Sequence, residues 1–139
     1  MTDALPLPPR RTRLALFLLP LGVAAVAAAW IVVATATGRQ SSWMAVLAAL
    51  DAAFLLRVGG MAAGWRRAAW AVGGTAATIG LANWGIVAAG IGRLVGVGPL
   101  DSALKLGSGL AWTVVQLTHA PLDVAWLAVS LVIAAWAAR

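Results

Sequence analysis

The chain has 139 residues, 63% hydrophobic and 10% charged, with no cysteine and a formal charge of +6. Soluble domains carry roughly 25% charged residues, and a water-soluble fold cannot hide this much apolar surface, so lipid must solvate most of the chain. The lack of cysteine excludes disulfides, iron–sulfur clusters and thiolate chemistry, and the positive charge belongs to arginines beside apolar runs, where it marks topology and lipid headgroups rather than nucleic acid.

Residues 1–13, "MTDALPLPPRRTR", form a Pro-rich tail carrying Arg10, Arg11 and Arg13. Residues 14–139 are expected to be one transmembrane domain. A helix rises about 1.5 Å per residue, so about 20 apolar residues cross the hydrocarbon core. Four stretches qualify: Leu14 to Ala36, Trp43 to Ala63, Ala69 to Ile91, and a long one from Gly109 to Ala138. The fold class expected is all-α, an integral membrane four-helix bundle. The first stretch, with its arginines and the "ATA" of Ala34 to Ala36, also resembles a cleavable signal peptide. Its apolar core exceeds the usual run of roughly 7–15 residues, so it is expected to be retained. "GGMAAG", Gly59 to Gly64, contains a GxxxG spacing, which in an Ala/Gly-rich chain points to ordinary close packing.

Between the third and fourth stretches, Pro99 with Asp101 or Ser102 can start a short helix. Leu100, Ala103, Leu104 and Leu106 would be its apolar side, laid on the outer membrane surface. A plain Gly-rich loop is the alternative.

Arg10, Arg11, Arg13, Arg66, Arg67 and Arg139 fall on one side of the four stretches, against Arg39, Arg93 and Lys105 on the other. The positive-inside rule then puts both termini in the cytoplasm. Trp43 and Trp112 mark the outer interface, with Trp30 and Trp84 below it; Trp65, Trp70 and Trp136 mark the inner one. The arginine-rich, Ala/Gly/Val-rich composition points to a bacterial inner membrane. Two hairpins can also be overlaid, Leu50-Asp51 upon Leu122-Asp123, as two parallel two-helix repeats that would bring Asp51 and Asp123 face to face.

The last stretch carries the chemistry. Trp112, Gln116, His119, Asp123, Trp126 and Ser130 recur at four and three, one face of a continuous helix. Pro121 should kink it. On the third stretch Gly73, Ala76, Gly80, Asn83, Val87 and Gly90 form a small-residue seam; Gly73, Ala76, Gly80 and Gly90 are the expected packing positions. Asp51, Asn83, Gln116, His119 and Asp123 are therefore expected to share a polar network. It is either interhelical hydrogen bonding that fixes register or a proton or cation site built on a costly intramembrane carboxylate. A metal site would lack a fourth ligand, one histidine gives haem a single axial ligand, and no nucleophile–base pair or phosphate loop occurs. The expectation is no metal, no cofactor and no enzyme activity. The expected function is a small accessory, assembly or interaction subunit of a membrane complex, partnered by membrane lipids, other integral membrane proteins or a second copy, and not by nucleic acid. The alternative is a small homo-oligomeric proton- or cation-coupled transporter or channel using the Asp/His site.

Overall fold

The computed structural model describes residues 9–139, so residues 1–8 of the tail expected over residues 1–13 lie outside the described residues. It is all-helical: α1 (Pro9–Thr37), α2 (Met44–Val58), α3 (Trp65–Val95), α4 (Pro99–Lys105), α5 (Ser108–Thr118) and α6 (Pro121–Ala137), with no strand among the described residues. Two helices are long and apolar enough to cross a membrane, α1 over Arg13–Thr37 and α3, and a third span results if α5 and α6 count as one broken segment. The arginines of the expected tail nearest the first span are already helical, because proline is tolerated at the first position of a helix, where its missing N–H has no partner to lose.

The second helix ends five residues earlier than its hydropathy predicts. Gly60 sits in the left-handed region at φ 79°. Its N–H bonds Arg57 O at 3.0 Å and the Met61 N–H bonds Leu56 O at 3.0 Å. This is the Schellman pattern that satisfies the last carbonyls of a helix, sealed by apolar contact between the flanking residues; Leu56 and Met61 lie in one buried cluster. With 15 residues, α2 is about 22 Å long.

The fourth stretch departs further from expectation. The sequence predicts one kinked helix from Gly109 to Ala138; the chain instead makes two helices bent by 109°. His119 (ψ 118°) and Ala120 (ψ 158°) are both extended. Proline clashes with a helical residue before it, which drives Ala120 out of the α region. The ring then serves as the first residue of α6 rather than as a defect inside a longer helix. The break rotates Gln116 and Asp123 onto unrelated axes, so the expected single polar face does not exist.

α1 and α3 run in the same direction. Leu19 packs over Gly74 and Ile31 over Gly85, so positions advance together along both helices. α2 and α3 touch each other, α1 flanks both on one side and α6 on the other. The lower core is built from Ala15, Leu19, Ala49, Ala52, Leu56, Ala71, Ala134 and Ala138, and the upper from Ala27, Trp30, Ala34, Met44, Ala45 and Ala82. Alanine at these contacts lets backbones approach closely, the packing mode that works where lipid removes the hydrophobic drive between helices. Backbones come closest at Gly59, where a β-carbon would overlap the backbone of Ala15.

The packing seam of α3 is not the expected one. Gly73, Ala76 and Gly80 are exposed and Gly90 is half-buried. A β-carbon on Gly73, Gly80 or Gly90 would meet nothing within 4 Å. The buried face runs instead through Arg67, Ala71, Gly74, Thr78, Ala82, Ala89 and Gly92. Its two threonines are compatible with burial because each hydroxyl donates to its own helix, Thr75 to Ala71 O at 2.8 Å and Thr78 to Gly74 O at 2.9 Å. Arg67, read from the sequence as a topology charge, is buried (6% exposed). Its guanidinium donates to Ala138 O, to Met61 O at 3.2 Å and to Arg139 O at 2.8 Å, tying the end of α6 to the α2–α3 connection. A cation at a helix C-terminus is favoured by the partial negative charge of the terminal carbonyls.

The short helix after Pro99 forms, as α4, and its expected apolar side is divided: Ala103 and Leu106 pack inward against α3 and α5. Leu100 and Leu104 point outward at 73% and 79% exposure, while Ser102 is buried against α3 near Gly92. The Trp84 indole N–H holds this segment through Ala103 O at 3.2 Å. Trp30, expected near an interface, is fully buried in the upper core.

Candidate functional site

A polar cluster forms where the α1–α2 connection meets α3 and the α5–α6 break. The connection folds inward: the Trp30 indole N–H donates to Gln40 O at 2.9 Å, and Ser41 takes a left-handed turn at φ 52°. This aims the Gln40 side chain at α3, where its amide nitrogen donates to Asn83 Oδ1 and reaches His119 Nε2 at 3.4 Å. Asn83 Nδ2 donates to Ile79 O at 2.9 Å, which turns its Oδ1 toward Gln40. His119 Nδ1 lies 2.7 Å from Val115 O.

The protonation pattern follows from these partners. A carbonyl only accepts, so Nδ1 of His119 carries hydrogen. Asn83 presents an acceptor to Gln40, so Gln40 must offer its NH2 group to both neighbours. His119 Nε2 then accepts, and the ring is the neutral Nδ1–H tautomer. The result is an uncharged, mutually satisfied network joining α1, the α1–α2 connection, α3 and the α5–α6 break.

Of the five residues expected to meet, Asn83 and His119 do so, through Gln40. Asp51 is half-buried midway along α2, its carboxylate beside Gly22 of α1. Asp123 is the third residue of α6, and its Oδ2 accepts the Ala120 N–H at 2.9 Å. That is the reciprocal half of a capping box; Ala120 has no side-chain acceptor to supply the other half. Asp51 and Asp123 therefore occupy different levels of the fold, and no three acidic or histidine side chains among the described residues come close enough to hold a metal ion. Gln116 is exposed, and its side chain has no hydrogen-bond partner among the described residues. Gln40 was missed because it lies in a connection, 43 residues from Asn83 and 79 from His119. Its only signal was a polar amide in the short "TGRQSS" segment.

Beside this network opens a cleft of about 720 Å³ between α3, α5 and α6. Ile79, Gly80, Val115, Val124 and Leu127 give it apolar walls, Trp84 and Trp112 flank it, and Asn83, Ser108, Gln116 and His119 are its polar groups. No charged side chain lines it. A second groove, about 600 Å³, runs past Arg39, Trp43, Asp123 and Trp126. Ser42 borders it, and its Oγ is the one buried side-chain polar atom without a partner among the described residues. The arrangement can orient hydrogen bonds and receive an apolar surface.

No family model matches the chain, and no curated protein or solved structure matches it.

Proposed function

We propose that the chain is a multi-pass protein of the bacterial inner membrane, both termini cytoplasmic, acting without catalysis as an accessory, assembly or interaction subunit of a membrane complex. α1, α2, α3 and α6 would be its four spans. Arg67 and Arg93 on α3 are 26 residues apart, about 39 Å along a helix, close to the full thickness of a bilayer with its headgroup regions. On that scale Asn83 lies about 24 Å above Arg67, inside the outer half of the hydrocarbon, where uncharged and satisfied polar groups are the affordable kind. The contribution of α1 to both main cores favours its retention over cleavage as a signal peptide. The parallel course of α1 and α3 suits two parallel repeats, although the α4–α5 insertion has no counterpart in the first hairpin.

The observation that carries the interaction reading is the exposed small face of α3. Gly73, Ala76 and Gly80 follow one another along a helix of this chain that packs its other side inward. Small residues on a lipid-facing surface let a further helix approach closely. The face leads into the cleft at Gly80, where the Gln116 amide would find a partner on an incoming transmembrane segment. An amide left facing hydrocarbon costs several kcal/mol by order of magnitude, which favours a complex in which it is satisfied.

The transporter alternative has less support, because Asp51, His119 and Asp123 do not share a site. The deciding experiment is purification in mild detergent with identification of co-purifying membrane proteins. Gly80→Leu should leave the isolated chain folded and strip the partner away. Retention of every partner by that variant, or proton- or ion-dependent flux from the chain reconstituted alone, would overturn the interaction reading.

A further inference from the structure

At the opposite end of the fold lies a groove of different chemistry. It runs between α2 and the end of α6, has a volume of about 420 Å³, and is lined by Leu50, Ala53, Phe54, Arg57, Trp136 and Arg139, with Ala137 between the last two. Leu50, Ala53, Phe54 and Arg57 are spaced at three and four, so they form one ridge of α2. Phe54 is 62% and Trp136 77% exposed, leaving a large apolar wall uncovered. At the foot of that wall are two guanidiniums.

Neither has a hydrogen bond or ion pair from its side chain among the described residues. Among the described residues the acidic side chains are elsewhere: Asp51 turns toward Gly22 of α1, Asp101 belongs to α4, and Asp123 caps the far end of α6. The terminal carbonyls of α6 are already engaged by Arg67. Arg139 is thus held by its backbone while its side chain stays available. The charged side chains lining the groove are both arginines, and the apolar part continues up α2 to Leu47, itself half exposed.

We propose that this groove binds an anionic phospholipid, its phosphate diester between Arg57 and Arg139 and one acyl chain along Phe54, Leu50 and Trp136. The planar fork of a guanidinium matches phosphate oxygens in pairs, and two of them suit a headgroup with net negative charge. A zwitterionic lipid offers the same phosphate but carries a tethered ammonium toward the two arginines, so it binds less well. A soluble phosphate has nothing to place on the aromatic wall. The groove is too small for a whole lipid, and the remaining chain would stay in the bilayer. The proposal rests on the membrane reading above but not on the existence of a protein partner.

The test is native mass spectrometry of the full chain exchanged into micelles containing equal amounts of phosphatidylglycerol and phosphatidylcholine with matched chains. The wild type should retain phosphatidylglycerol preferentially. Each interfacial arginine contributes about five-fold to anionic-lipid binding, so Arg57→Gln and Arg139→Gln should each lower retention by about that factor and the double variant by about thirty-fold. Arg66→Gln, exposed and outside the groove, should leave it unchanged. Gly80→Leu should also leave it unchanged, which separates this proposal from the fate of the interaction reading. Equal retention of the two lipids, an equal loss from Arg66→Gln, or displacement of the lipid by inorganic phosphate would each overturn it.

Discussion

Replacing Arg67 should be among the most damaging single changes in the chain. Its guanidinium is buried and donates to three carbonyls from two separate segments, Met61 in the α2–α3 connection and Ala138 and Arg139 at the end of α6. Hydrogen bonds to a charged group are worth about 1.5–3 kcal/mol each, but removing the arginine also removes the cost of burying its charge. What remains is the desolvation of the stranded acceptors, about 1–3 kcal/mol for each that cannot turn to solvent. Met61 is 9% exposed and sits in the lower core, so its carbonyl stays trapped, while the two at the helix end can partly re-solvate. The balance for Arg67→Ala is about 3 kcal/mol of destabilisation. Arg67→Lys keeps the charge but not the planar fork, and one ammonium cannot span the three acceptors, so it should fall between. Equilibrium unfolding in detergent micelles measures both. The neighbouring Arg66→Ala, exposed, serves as the reference and should stay within about 0.5 kcal/mol of wild type. Were Arg67→Ala as stable as Arg66→Ala, the buried guanidinium would not be holding α6 in place.

Gly59→Ala should destabilise by about 1–3 kcal/mol in the same assay, because the added methyl overlaps the Ala15 backbone. Gly73→Ala, mid-helix with open space around it, should instead gain about 0.8–1 kcal/mol of helix propensity; a loss there would return Gly73 to the packed seam. Asp123→Ala should cost about 1 kcal/mol through loss of the Ala120 N–H contact, whereas Asp123→Asn, which still offers an oxygen, should be close to wild type. A large loss of stability from Asp123→Asn would argue for a charged role that the cap does not require. Nitrogen-15 spectra of His119 should report the Nδ1–H tautomer in wild type, and Gln40→Ala, which leaves the Val115 acceptor in place, should keep that tautomer while shifting the Nε2 resonance by removing its donor. A dominant Nε2–H form in wild type would show the network wrongly assigned.

Much of the local structure was legible in the sequence. Apolar runs of about 20 residues identify helices that lipid can solvate, and α1 and α3 lie where those runs predict. Pro99 and Asp101 offered α4 as one of two readings beside a plain loop, and Pro121 marked an interruption near its position. Which side of each helix faces inward was not legible, because in α3 alanine and glycine occur on every face. Gly73, Ala76 and Gly80 make as regular a seam as Gly74, Thr78 and Ala82. Only contact with α1, through Leu19 and Ile31, selects the second. A proline likewise leaves open whether a helix bends or restarts; the extended backbone at His119 and Ala120 and the Asp123 cap decided for a restart, and so dissolved the polar stripe that continuous periodicity implied. The network that did form depends on Gln40 and the buried end of α6 depends on Arg67. Both act across more than 40 residues of chain, and a side chain's partners at that separation are set by how helices pack, which no local pattern of residues encodes.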